Sequence, residues 1–134
     1  MTIGEIKKEA LKMMFTNQDN EIDSLDMTDL YADSNYGDFL NNMYGSINRA
    51  ISRLKSKGFP YVGSRLTKDS SDDAELVLDE ELCEIIPYFI KGELYEEDNA
   101  QQAAIARNLF EDMADDYLST KVNTNVQVVF EMDV

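Results

Sequence analysis

Carboxylates are the chemically capable side chains this chain has in quantity. It carries 27 Asp and Glu, one cysteine and no histidine. Three carboxylate pairs, Glu80/Glu84, Glu93/Glu97 and Asp112/Asp116, are spaced four apart in helical stretches. That spacing puts both acids of a pair on one helical face, as di-metal carboxylate sites require. Those sites also use Glu-x-x-His motifs and bury their acids, whereas these acids lie mostly off the apolar stripes. A solvated face is the better reading, since unpaired carboxylates are rarely buried. The alternating Asp19, Glu21 and Asp23 resemble the start of a calcium loop. Ser24, however, stands where that loop needs glycine, and Leu30 where it needs a bidentate glutamate. There is no CxxC, HExxH, GxSxG or glycine-rich phosphate loop. Without histidine the commonest acid–base group near neutral pH is missing. The expectation is a protein that is not an enzyme and needs no cofactor or metal.

The cations are arranged more tellingly. Residues 1–68 hold nine Lys/Arg against nine Asp/Glu, while residues 69–134 hold three against eighteen, so the whole net charge of −15 sits in the second half. From Phe39 to Lys68 there are six cations and no acid. Arg49, Arg53 and Lys57 are spaced four apart and share one helical face. A stripe of this kind is by default a solvated face. The acidic second half makes a partner surface the alternative, extended by Arg65 and Lys68. The six cations lack the interleaved aromatics or recognition helix of a nucleic-acid site, and the net charge opposes one at long range.

The elements that position these residues read as mainly α, a small bundle of about four helices. At 134 residues the chain predicts one domain burying roughly two-thirds of its unfolded surface. Thr2-Ile3-Gly4-Glu5 matches a capping box, and Ile3, Ile6, Ala10, Met13 and Met14 form one stripe to about Phe15. Lysines and glutamates within this amphipathic start argue against a signal peptide or membrane span. Residues 16–35 are acidic and turn-rich, predicting a linker with one helical turn around Met27–Tyr31. Tyr36, Leu40, Met43, Ile47, Ala50 or Ile51, and Leu54 make the clearest helical seam, stopped by Gly58 and Pro60. Residues 59–78 predict an extended excursion or a short β-hairpin, with Tyr61-Val62 and Leu66 against Leu76–Leu78.

Leu78 to Leu118 predicts an αα-hairpin turning at Glu96-Glu97-Asp98. Asp79 is the expected N-cap of its first helix, and Pro87 either kinks that helix or starts a fresh one. Gly92 demands a close neighbour, which Ala100, Ala103 and Ala104 opposite would permit. Cys83, inside the pattern, reads as a small buried hydrophobe in a chain with no disulfide framework. Residues 1–118 thus form the helical domain and 119–134 an extended tail. In the tail Val126, Val128, Phe130, Met132 and Val134 alternate at the period of a strand. That strand would pair with Leu76–Leu78 or Tyr61–Val62, or add to the edge of a neighbouring molecule.

The order of these elements, with TIGEI at the start, NNMYGSINRAISRL in the second long helix and IIPYFIKGELYEEDN from Ile85 to Asn99, resembles the head–tail connector proteins of tailed bacteriophages. Ser46-Ile47-Asn48, the proline-initiated helix with its acidic turn, and Phe110 in the helix that follows carry the resemblance across nearly the whole chain. The resemblance implies a structural virion protein made in the host cytoplasm and placed at the head–tail interface. It implies a homo-oligomeric ring, a dodecamer, docked on the portal protein and continued by downstream neck or tail proteins. DNA would pass through without sequence-specific binding, and no membrane is involved. On that expectation Arg49, Arg53, Lys57, Arg65, Lys68, Val126, Val128, Phe130 and Met132 are the candidate partner contacts. The alternative from a different class is a small acidic DNA mimic that inhibits a nuclease or repressor, although the acid-free run speaks against it. A carboxylate-bridged metal protein is a weaker third.

Overall fold

In the computed structural model, residues 1–133 are described, with side chains through Thr120. Six helices form in chain order: α1 (Ile3–Met14), α2 (Asp19–Ser24), α3 (Met27–Ala32), α4 (Gly37–Ser56), α5 (Glu80–Leu94) and α6 (Ala100–Asp133). The mainly helical expectation holds, and there are two more helices than expected.

At the start of α1 the capping box is complete. Thr2 Oγ1 accepts from the Glu5 N–H and Glu5 Oε1 accepts from the Thr2 N–H, each at 3.1 Å. The next orphan donors of the first turn are met by a distant segment: the Ile3 N–H donates to Ala74 O (2.9 Å) and the Gly4 N–H to Asp72 O (2.8 Å). With the Leu76 N–H on Met1 O at 3.1 Å, residues 72–76 are laced to the head of α1. One antiparallel bridge, Thr2 to Glu75, results.

In residues 16–35 the helical turn expected around Met27–Tyr31 is present as α3, and the stretch before it, expected as linker, holds a further short helix, α2. Each is held by a single fully buried anchor, Ile22 in α2 and Leu30 in α3. One anchor per helix is too little to register as a period, although Asp26 caps α3 by accepting from the Asp29 N–H. Asp19, Glu21 and Asp23 lie in α2 rather than in a loop, and Asp23 pairs with Lys12 at 2.6 Å.

The long seam of α4 buries Leu40, Met43, Ile47, Ala50, Ile51 and Leu54. Just past the Lys57 C-cap stands Gly58, whose φ of 104° is a left-handed conformation that glycine adopts without a Cβ penalty. The hairpin expected over 59–78 is not shown, because its backbone groups find other partners. The Asn48 side chain takes both groups of Leu66: Nδ2 donates to Leu66 O (2.8 Å), and Oδ1 accepts from the Leu66 N–H (2.9 Å). This buried amide supplies what a facing strand would have supplied.

α5 packs against α1, α4 and α6 and is the hub of the bundle. Pro87 lies inside it without ending it. Asn99 caps α6, its Oδ1 accepting from the Gln102 N–H at 3.1 Å. Against α5 the sixth helix buries Ala103, Ala106, Phe110 and Ala114, with Phe110 edge-on to Phe89 at 5.0 Å. The close approach expected at Gly92 is present. A Cβ there would collide with Arg107 Cγ, and Arg107 Nη1 donates to Gly92 O at 2.7 Å.

The αα-hairpin is therefore as expected, but its second helix does not stop near Leu118. Between Ala100 and Val134 there is no glycine or proline to break it, and the α6 backbone continues to Asp133. No extended tail or strand is shown among the described residues. The side chains of Val126, Val128, Phe130 and Met132 lie outside them.

Candidate functional site

The basic stripe of α4 is placed by the same periodicity that buries the opposite seam, and it meets acids from two other helices. Arg49 Nε donates to both Glu93 carboxylate oxygens of α5, at 2.9 and 2.8 Å. Arg53 grips Glu111 of α6 with Nε at 2.7 Å and Nη2 at 3.2 Å. Lys57 Nζ lies 2.6 Å from both Glu111 and Asp115. Burial alone would depress the Lys57 pKa, but the bonds from Asp115 and Glu111 outweigh it and leave the ammonium raised. Arg53, then Lys57, holds the Glu111 carboxyl below the usual carboxylate range. The complementarity of basic helix and acidic hairpin is thus realised within the subunit for these three cations, tying α4 to both arms of the hairpin.

Other candidates are also committed to structure. Glu80 accepts from the Met1 ammonium at 2.9 Å, and Glu80 with Glu75 raises that amine to about 10. Lys7, buried, bonds Tyr31 Oη at 2.7 Å and Asp72 at 2.8 Å. Cys83 is fully buried, and desolvation pushes its thiol up to about 11, which removes it as a nucleophile. Among the described residues no group of three or more His, Cys, Asp or Glu is placed to hold a metal ion. No described helix is long and apolar enough to cross a membrane.

What remains is a set of exposed groups without an ion pair among the described residues. Arg65 and Lys55 line a shallow depression of about 140 Å³ together with Ser52 and Tyr61. Lys68 stands exposed nearby in the chain, in the turn after Leu66. None of these three cations has an ion pair among the described residues, in contrast to Arg49, Arg53 and Lys57. Val62, three residues before Arg65, is 87 % exposed. On α6, Ile105 and Leu109 are 46 % and 42 % exposed, and Asp112 and Asp116 continue their stripe, exposed and likewise without ion pairs.

The structure therefore divides the sequence candidates. Arg49, Arg53 and Lys57 are brought together in an internal seam, while Arg65 and Lys68 remain outside it. Val62, read from sequence as a strand residue, Lys55, counted only among the six cations, and the Ile105/Leu109 pair were not among the candidate contacts. The last left a signal, two large aliphatics four apart and off the Ala103/Ala106/Phe110 stripe. Asn48 left one too, a polar residue beside the apolar seam of α4. Searched against family models, characterised proteins and solved structures, the chain matches none.

Proposed function

We propose that this protein is a non-enzymatic structural component, a head–tail connector that assembles as a ring on the portal of a tailed bacteriophage and continues its DNA channel toward the tail. One observation carries the reading: exposed groups of opposite sign on separate elements of one subunit have no ion pair among the described residues. Lys55, Arg65 and Lys68 lie on or after the end of α4, Asp112 and Asp116 lie on α6, and no ion pair joins the two sets. Cyclic rings need such a subunit, because one face must meet a different face of the next copy. The resemblance of the SIN and IIPYFIKGELYEEDN stretches to connector proteins supports the same conclusion. On this reading the terminal residues, Val126, Val128, Phe130 and Met132 among them, contact a neighbour or the portal. The acid surplus keeps transiting DNA from adhering.

Native mass spectrometry and light scattering, on the protein alone and with the portal protein of the same virus, test this. A discrete ring is expected. A monomer at every concentration that also fails to join the portal refutes the proposal. Recovery of a host nuclease from lysate at low salt only would instead favour the DNA-mimic reading.

A further inference from the structure

Two exposed surfaces of this chain are mixed apolar and charged, and their charges have opposite sign. The first is a stripe on α6. Ile105, Leu109, Asp112 and Asp116 follow one another at intervals of four, three and four, so they share one face over about 16 Å of helix. All four are exposed. The second surface lies at the end of α4 and in the chain that follows. Lys55 and Arg65 flank a depression that Tyr61 and Gly63 also line, and Val62, between those two in the chain, is 87 % exposed.

Single exposed aliphatics are ordinary on a protein surface. Here each aliphatic group lies next to charges that have no ion pair among the described residues, although the neighbouring cations Arg53 and Lys57 are fully paired. We infer that the α6 stripe of one copy seats on the Val62–Lys55–Arg65 surface of the next, Ile105 and Leu109 against Val62, and Asp112 and Asp116 against the two cations. This rests on the ring reading above and names the contact that closes the ring.

Charge complementarity argues for a second copy as the occupant. The exposed valine offers nothing to phosphate, so a nucleic acid would leave the apolar part of this surface uncovered. The same chain presents an acidic, partly apolar helix of fitting character. The receiving surface is also preorganised, so little ordering is needed on contact. Asn48 holds Leu66 at 2.8 and 2.9 Å, and the Tyr61 hydroxyl donates to Ser64 O at 3.1 Å, bracketing the residues between.

The test is a charge exchange, read as the concentration at which rings form in light scattering and native mass spectrometry. Lys55→Glu with Arg65→Glu makes the chain more acidic, and Asp112→Lys with Asp116→Lys makes it less so. Each double variant is expected to raise the assembly midpoint about tenfold or more, and the quadruple variant to recover most of that loss. Because the two variants move net charge in opposite directions, weakening by both excludes a general charge effect. All four residues are exposed, and unchanged circular dichroism and melting will show that the subunit still folds. If the unaltered protein forms rings and the variants form them equally well, the inference is wrong and the ring reading survives. Variants that ring normally but lose the portal assign these faces to the portal, which also overturns it. If the unaltered protein forms no ring alone or on the portal, both fall together.

Discussion

Replacing Asn48 by alanine should release the chain that follows α4 while leaving the helices in place. Asn48 is 6 % exposed, and its amide makes two hydrogen bonds to the backbone of Leu66, itself 8 % exposed. Alanine removes both partners at once. A buried N–H and a buried C=O are then left unmet, at about 1–3 kcal/mol each, with the lower end applying where water can enter. The loss should be about 2–4 kcal/mol, a large part of the roughly 5–15 kcal/mol that holds a domain. With a urea slope of about 1–3 kcal/mol per molar, the midpoint should fall by roughly 1–2 M. Asn48→Asp should do no better. Its carboxylate still accepts from the Leu66 N–H, but it faces Leu66 O without a donor and buries a charge. The site-specific assay is trypsin cleavage after Arg65, which lies next to the anchored residue. Native-state nicking there should accelerate at least tenfold in Asn48→Ala, well before global unfolding. A loss under about 0.5 kcal/mol, or unchanged nicking after Arg65, would refute the claim that this amide stands in for a strand. The same variant should weaken ring assembly, since Val62 and Arg65 sit on the freed segment.

Three further outcomes follow from the geometry. Gly92→Ala should gain up to about 1 kcal/mol of helix propensity yet come out destabilised, because the new Cβ meets Arg107 Cγ and displacing that side chain breaks its bond to Gly92 O. In an Arg107→Ala background the same substitution should turn stabilising, and a urea double-mutant cycle that shows no change of sign removes the explanation. Cys83 should resist thiol reagents in the native state and react at a rate set by opening, since its thiol is buried and raised to about 11. Rapid labelling at neutral pH without denaturant contradicts this. The Glu111 carboxyl is depressed by Arg53 and Lys57, so its contribution is present above the ordinary carboxylate range near pH ~4.3 and fades as pH falls through the lower folded value. Glu111→Gln should cost about 1 kcal/mol or less at neutral pH and flatten the acid limb of the stability curve. An acid limb identical in the two proteins would show that Glu111 is uncoupled.

Local chemistry made parts of this fold legible. The Thr2/Glu5 capping box, the α4 seam and its glycine stop, the α5 arm of the hairpin and the close approach at Gly92 each arise from residues a few positions apart, or from one residue whose lack of a side chain implies a neighbour. Asp79 at the head of α5, however, makes no side-chain cap bond and accepts instead from the Tyr117 hydroxyl. The turn expected around Met27–Tyr31 is α3, but α2 escaped because it depends on one buried anchor, Ile22, and one residue has no period. The end of α6 escaped for a different reason. The alternation from Val126 to Val134 is a strand signal, but nothing between Ala100 and Val134 terminates the helix already under way.

The candidate site was harder still, because what matters there is which opposite charges find each other. Among the six cations between Phe39 and Lys68, spacing groups Arg49, Arg53 and Lys57 on one face but does not show whether that face meets acids or solvent. In the folded chain the six separate, since Glu111 and Asp115 are brought within reach of Arg53 and Lys57 from 58 residues away. Lys55, only two residues from each of them, lies off that seam and has no ion pair among the described residues. A helix turns about 100° per residue, so a displacement of two positions carries a side chain most of the way round to another face. That rotation decides which cations stitch α4 to the hairpin and which remain available to a neighbouring subunit. It also makes a sharp distinction for mutagenesis: Arg53→Glu should act first on the stability of the subunit, and Arg65→Glu on its assembly. A chain in which both variants lowered the melting temperature equally and left assembly alone would have no free cationic face, and the ring would have to close by other contacts.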